Sequence, residues 1–169
     1  TRDGGQNWTL ESPTIPASAL RFAASPFVDL HFVSPTVGWF MREGRVVFKT
    51  VDGGTNWTAQ TVSLVPDTEP PRPAEAHFLD PLNGWVASAP YPALRPPSMS
   101  EASYASVGAV IRRTRDGGNT WASAGQLPFQ VSSLRFMDPS NGIAVGPRGA
   151  IAITSDGGTS WTLRPAPTV

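Results

Sequence analysis

Three observations predict an all-β chain built of four-stranded propeller blades. An eight-residue segment, Thr-x-Asp-Gly-Gly-x-x-Trp, occurs four times, at residues 1–8, 50–57, 114–121 and 154–161. A second segment lies between its copies, as His31-Phe-Val-Ser-Pro-Thr-Val-Gly38-Trp39, His77-Phe-Leu-Asp-Pro-Leu-Asn-Gly84-Trp85 and Arg135-Phe-Met-Asp-Pro-Ser-Asn-Gly142-Ile143. The composition is rich in turn residues, 16 Gly and 18 Pro in 169, and no long helical periodicity runs through it. Repeats of a few tens of residues, each holding several short strands, belong to propeller blades rather than helical arrays.

Each unit reads as strands A to D. Strand A is the short apolar run ending in the aromatic, such as Val28 to Phe32. The Ser/Asp-Pro-x-x-Gly stretch is a turn, because Pro presets φ and Gly accepts a positive φ. Strand B follows, as in Gly38 to Arg42, and a Gly-containing reversal at Glu43-Gly44 or Pro147-Arg148-Gly149 leads to strand C. Arg45 to Lys49 and Ala150 to Ile153 are those C strands. The Asp-Gly-Gly hairpin then returns strand D through its Trp. Its short carboxylate accepts N–H groups of its own turn, and its glycines reach conformations closed to other residues.

The spacing sets the unit. Phe32 to Asp52 and Phe136 to Asp156 are both 20 residues, whereas Phe78 to Asp116 is 38, so the middle unit carries 18 extra residues. The expected organisation is one propeller segment over 1–169, with a partial blade at 1–12 and blades at 20–64, 74–124 (insert 88–107) and 131–165. About three complete blades plus part of another make an arc, since closed propellers need roughly four to eight. The expectation is that further blades come from the same or another chain.

Composition excludes several functions. Lys+Arg and Asp+Glu are 13 each, so the basic excess of a nucleic-acid binder is absent. Zero Cys excludes disulfides, thiolate zinc sites and cysteine nucleophiles, and two His leave little for a metal. No apolar run of transmembrane length occurs. Neither metal nor cofactor is expected.

Asp3, Trp8, Asp52, Trp57, Asp116, Trp121, Asp156 and Trp161 recur at one place in each unit, so they read as architecture before chemistry. Asp80 and Asp138 sit where the first unit has Ser34, which marks a turn cap rather than a catalytic acid. His31 and His77 are equivalent, with Arg135 in the third unit, and also read as structural. Asn7-Trp8-Thr9 and Asn56-Trp57-Thr58 match glycosylation sequons only through the repeat.

The repeated hairpin resembles the Asp box, or BNR repeat, of sialidases, xyloglucan-cleaving glycosidases and sortilin-related receptors. With its companion segment it most resembles the photosystem II stability/assembly-factor-like proteins, seven-bladed propellers of the thylakoid lumen and bacterial periplasm. That resemblance implies a non-catalytic, periplasmic, lumenal or secreted scaffold module holding a protein partner, as a subunit or assembly factor of a membrane complex of photosynthetic type. It also implies a role in partner binding for arginines on a propeller face. The alternative is a glycoside hydrolase fragment, sialidase- or xyloglucanase-like, for which a carboxylate pair is generally needed. The carboxylates left after the repeats are Glu11, Asp29, Glu43, Asp67, Glu69, Glu75 and Glu101, none in a recognisable catalytic setting.

Function tends to lie where the repeat is broken. Residues 65–76 form a proline-rich connection that reads as a linker. The insert holds both tyrosines of the chain, and Tyr91, Leu94, Arg95, Met99 and Tyr104 are its candidate partner-binding residues. Arg112 and Arg113 join them as a possible anionic-partner patch beside Arg115, although alternation sends the first two to opposite faces and a solvated blade edge is the blander expectation.

Overall fold

The computed structural model describes residues 5–7, 27–42, 46–62, 72–89 and 108–165. Twelve strands lie among the described residues: β1 Phe27–Phe32, β2 Gly38–Arg42, β3 Val46–Thr50, β4 Thr58–Thr61, β5 Arg72–Phe78, β6 Gly84–Ala89, β7 Ala109–Thr114, β8 Ala122–Leu127, β9 Ser133–Phe136, β10 Gly142–Val145, β11 Ile151–Thr154 and β12 Thr162–Arg164. They form three antiparallel sheets, β1-β2-β3-β4, β5-β6-β7-β8 and β9-β10-β11-β12. Each sheet is one blade of a partial β-propeller, named here the first, second and third blade. Among the described residues the only helical element is the 3-10 turn Pro147–Gly149. None of them forms a helix long and apolar enough to cross a membrane.

Strand alternation gives the second blade two buried faces, one against each neighbour. Trp39, Met41 and Val47 of the first blade cluster with Ala76, Phe78 and Val86 of the second. Trp85, Ala87 and Ile111 on the opposite face of the second blade cluster with Leu134, Phe136, Ala144 and Ala152 of the third. The core is therefore a series of seams between sheets rather than one centre. Innermost strands β1, β5 and β9 lie side by side, which brings Glu75 of β5 to Arg135 of β9 in a 2.7 Å ion pair.

The companion glycine has a steric role. Gly84 starts β6 opposite Phe78 of β5, and the Phe78 ring lies where a Cβ on Gly84 would stand. Gly38 with Phe32 and Gly142 with Phe136 repeat the arrangement.

Candidate functional site

Each of the Asp-Gly-Gly hairpins at Asp52, Asp116 and Asp156 is closed by its own side chains. Thr114 Oγ1 donates to Asp116 Oδ1 at 2.8 Å and accepts from Gly118 N at 2.7 Å. The same carboxylate accepts from Thr120 N at 2.9 Å and Thr120 Oγ1 at 2.6 Å. Gly117 and Gly118 take φ of 71° and 97°, which explains the glycine pair. Thr50-Asp52-Gly54-Asn56 and Thr154-Asp156-Gly158-Ser160 repeat the pattern. The hydroxyl of Thr120, then its N–H, hold the Asp116 carboxyl down to about 2, and Ser160 does the same for Asp156. These carboxylates are turn caps. Asp3 and Trp8 lie outside the described residues.

The Pro turns are capped likewise. Asp80 accepts from Leu82 N and Asn83 N at 2.7 and 2.8 Å, Asp138 from Ser140 N and Asn141 N at 2.7 and 2.8 Å. Ser34 Oγ accepts from Val37 N at 2.9 Å, so a hydroxyl serves where the others have a carboxylate. Each turn then meets its own hairpin, as in Gly117 N to Leu82 O at 2.8 Å.

Both seams carry one set of contacts. Trp39 lies flat on Phe78, centroids 3.9 Å apart, and Trp85 on Phe136 at 3.6 Å. Trp39 Nε1 donates to Gly117 O at 3.3 Å and Trp85 Nε1 to Gly157 O at 3.0 Å, so each indole reaches the hairpin of the next blade. His31 Nε2 donates to Phe78 O at 2.8 Å and His77 Nε2 to Phe136 O at 3.1 Å. A carbonyl only accepts, so both imidazoles carry their proton on Nε2. The histidines are inter-blade donors, and no group of three or more metal-ligating side chains exists among the described residues.

A cation covers each of these tryptophans: Lys49 Nζ lies 5.3 Å from the Trp39 ring and Arg113 Cζ 5.2 Å from Trp85. Burial pushes the Lys49 ammonium down, against the opposing pull of Asp116. Burial, then the neighbouring Arg115, push Arg113 down as well.

The seams differ beside the next hairpin. At the first, Gln60 of β4 fills the space beside the next hairpin and its Nε2 donates to Asn119 Oδ1 at 3.3 Å. At the second, the equivalent residue is Ala124, whose carbonyl accepts Trp161 Nε1 at 3.0 Å. This second seam also holds a cleft of about 260 Å³, lined by Arg113, Arg115, Thr120, Ala122, Ser123, Gly157 and Thr159. Its donor side chains are the guanidiniums of Arg113 and Arg115 and the hydroxyl of Ser123, since the Thr120 and Thr159 hydroxyls donate to Asp116 Oδ2 and Asp156 O, and Arg113 Nε is buried with no hydrogen-bond partner among the described residues. Such a set suits an oxyanion, above all a planar carboxylate that guanidinium can grip at two points.

Arg112 and Arg113 do point to opposite faces, but the solvated edge expected for them is corrected. Arg112 is 9% exposed because it sits at the register position of the buried Phe48, inside a blade face. Only Arg113, with Arg115, reaches the cleft. Tyr91, Leu94, Arg95, Met99 and Tyr104 fall outside the described residues. The sequence reading missed Thr120, Ser123 and Thr159, although the change from Gln60 to Ala124 is visible on aligning the repeats.

Fold and seams define the class: a partial β-propeller of repeated Asp-Gly-Gly blades. Within that class the chain is homologous to the photosystem II assembly lipoprotein Ycf48 of Synechococcus sp. (strain CC9902), with 26% identity over 156 residues, 90% of this chain and 40% of the relative. Two solved structures share its fold. One, YCF48 bound to D1 peptide, gives a TM-score of 0.61 at 22% identity, over 82% of this chain and 39% of that one. The other, YCF48 from Cyanidioschyzon merolae, gives 0.60 at 21%, over 86% and 41%. A glycosidase, Niastella koreensis GH74, gives 0.54 at 16%, over 81% of this chain and 22% of that one. The chain thus spans about two fifths of the length of the Ycf48 relatives. No protein-family model matches it.

Proposed function

We propose that this chain is a non-catalytic, extracytoplasmic propeller module that holds a protein partner during assembly of a membrane complex of photosynthetic type. The arginine cleft between the second and third blades takes a carboxylate of that partner. The observation that carries the reading is the cleft itself: Arg113 and Arg115 converge there with the Ser123 hydroxyl, opposite Gly157 and Thr159 of the third blade. Homology to a photosystem II assembly lipoprotein supports the setting, and a structure of similar fold bound to a D1 peptide supports a polypeptide ligand.

The glycosidase alternative rests on fold likeness at 16% identity. Against it, Asp52, Asp80, Asp116, Asp138 and Asp156 are each engaged by their own turns, and Glu75 is paired with Arg135. Each of these five aspartates has a lowered proton affinity, the opposite of what a general acid needs.

The test is fluorescence anisotropy with a labelled D1-derived peptide bearing a free terminal carboxylate. Arg115→Gln should weaken binding by roughly tenfold, the loss of one charge-assisted contact, and an amidated peptide should bind as poorly. Equal affinity for Arg115→Gln, Arg113→Gln and wild type sinks the assignment.

A further inference from the structure

Two tryptophans tie the second seam in opposite directions. Trp85 of the second blade donates from Nε1 to Gly157 O of the third at 3.0 Å, and Trp161 of the third donates back to Ala124 O of the second at 3.0 Å. At the first seam Trp39 Nε1 makes the forward bond to Gly117 O, but Trp121 Nε1 stays with Gly118 O of its own hairpin at 3.0 Å. Trp57 likewise keeps to Gly54 O at 2.9 Å. Ring placement does not explain the difference. Trp57, Trp121 and Trp161 stand edge-on to Phe32, Phe78 and Phe136 with centroids 6.2, 6.1 and 6.0 Å apart.

The acceptor has moved instead. β7 and β8 pair Val110 with Gln126 and Arg112 with Ser123, so Ala124 and Gly125 both stand opposite Ile111 in a β-bulge. The corresponding ladders β3–β4 and β11–β12 keep register throughout. Gly125 takes a φ of 89°, and a Cβ on it would lie 2.8 Å from Gly158 O and 2.9 Å from Trp161 Cδ1. The bulge therefore needs glycine, and it bends β8 at the place where Ala124 O meets the indole.

The two bonds bracket the arginine cleft. Gly157, the acceptor for Trp85, lines it, Ala124 directly follows the lining residues Ala122 and Ser123, and Trp161 lies two residues beyond Thr159. Across an open cleft no side chains interlock to set the distance between the walls, so that distance rests on what joins them at the margins. We infer that Trp161 is a positioning residue for the cleft. By tying Ala124 of one wall to the hairpin of the other, it fixes Gly157 and Thr159 against Arg113 and Arg115 and presets the width into which a carboxylate fits. The inference rests on the reading of the cleft as a carboxylate site. Trp161 acts through the walls, because walls already in place leave less to be ordered on binding.

Anisotropy with the carboxylate-bearing D1-derived peptide tests it on the whole 169-residue chain. Trp161→Phe keeps the edge-on ring contact and deletes the N–H, so affinity should fall roughly threefold to tenfold, the effect of one net hydrogen bond. Trp121→Phe deletes the same kind of bond inside a hairpin, and its affinity should stay within about twofold of wild type. In an Arg115→Gln background the Trp161→Phe loss should shrink, since the grip it serves is already gone. Undiminished affinity in Trp161→Phe, an equal loss in Trp121→Phe, or strict additivity with Arg115→Gln overturns the inference and leaves the carboxylate reading standing. An Arg115→Gln chain that binds like wild type overturns both. Indole N–H exchange measured by NMR on the unmutated chain depends on no variant folding. Saturating peptide should slow exchange at Trp161 Nε1 and leave Trp121 Nε1 unchanged, and an unslowed Trp161 proton overturns the inference.

Discussion

The indole of Trp85 lies flat on the ring of Phe136, 6° from parallel and 3.6 Å between centroids, with its N–H on the Gly157 carbonyl 3.0 Å away. One side chain thus bonds two segments of the next blade, its strand A and its hairpin. Trp39 does the same with Phe78 and Gly117. These contacts, rather than the strand ladders, hold blade to blade.

Trp85→Phe keeps most of the stack and deletes the N–H. The buried Gly157 carbonyl loses its donor, and stability should fall by about 1–3 kcal/mol. Trp85→Ala should cost about 3–5 kcal/mol through lost burial and a cavity. Urea unfolding with an unchanged m-value measures both. Equal losses in the two variants would show that the indole N–H contributes most of the contact.

Gly84→Ala places a methyl where the Phe78 ring lies. The expected loss is about 1–3 kcal/mol, as for overpacking elsewhere. A double mutant with Phe78→Leu should recover part of it, because the two sites share one volume. Strict additivity would locate the cost in the backbone instead.

Acid should loosen the hairpins. The Asp116 carboxyl is held at about 2, below its ordinary 3.8, first by the Thr120 hydroxyl. A lowered folded-state value means that the stabilisation is fully present above the unfolded value and disappears as pH falls toward 2. Carbonyl-detected NMR should find Asp116 titrating near 2, and Thr120→Val should move it upward.

His77 acts in a different window. Its imidazole is pushed below 6.5 mainly by burial, against its bond to Phe136 O, with His31 and Arg135 adding repulsion and Asp29 opposing it. The unfolded chain takes up the proton first. Stability is therefore intact above 6.5, declines as pH falls through that value and levels off below the folded one. Melting temperatures from pH 8 to pH 5 should show the decline, and His77→Asn should flatten it.

The insert completes the list. Replacing residues 90–106 by a short glycine bridge should leave the β6–β7 ladder intact and weaken capture of the peptide used above, because the candidate partner-binding residues Tyr91, Leu94, Arg95, Met99 and Tyr104 are removed. Circular dichroism and anisotropy on the same sample separate the two effects. A chain that unfolds makes the insert part of the core and ends its reading as a contact loop.

Much of this protein was legible as text because its local rules repeat. Asp, two glycines and a hydroxyl at fixed spacing close a hairpin using groups within four residues of one another, so the Asp52, Asp116 and Asp156 turns needed no tertiary information. The Pro turns at Ser34, Asp80 and Asp138 were readable for the same reason. Strand order within each blade followed, since short connections pair neighbouring strands. What the tertiary structure alone decided lies between blades. That Trp39 and Trp85 grip the next hairpin and that His31 and His77 donate forward depend on contacts 47 to 78 residues apart. Local sequence carries no register for such pairs. The cleft is the clearest case: Arg113, Arg115 and Ser123 belong to one blade, and they line a cleft only because the third blade brings Gly157 and Thr159 across from them.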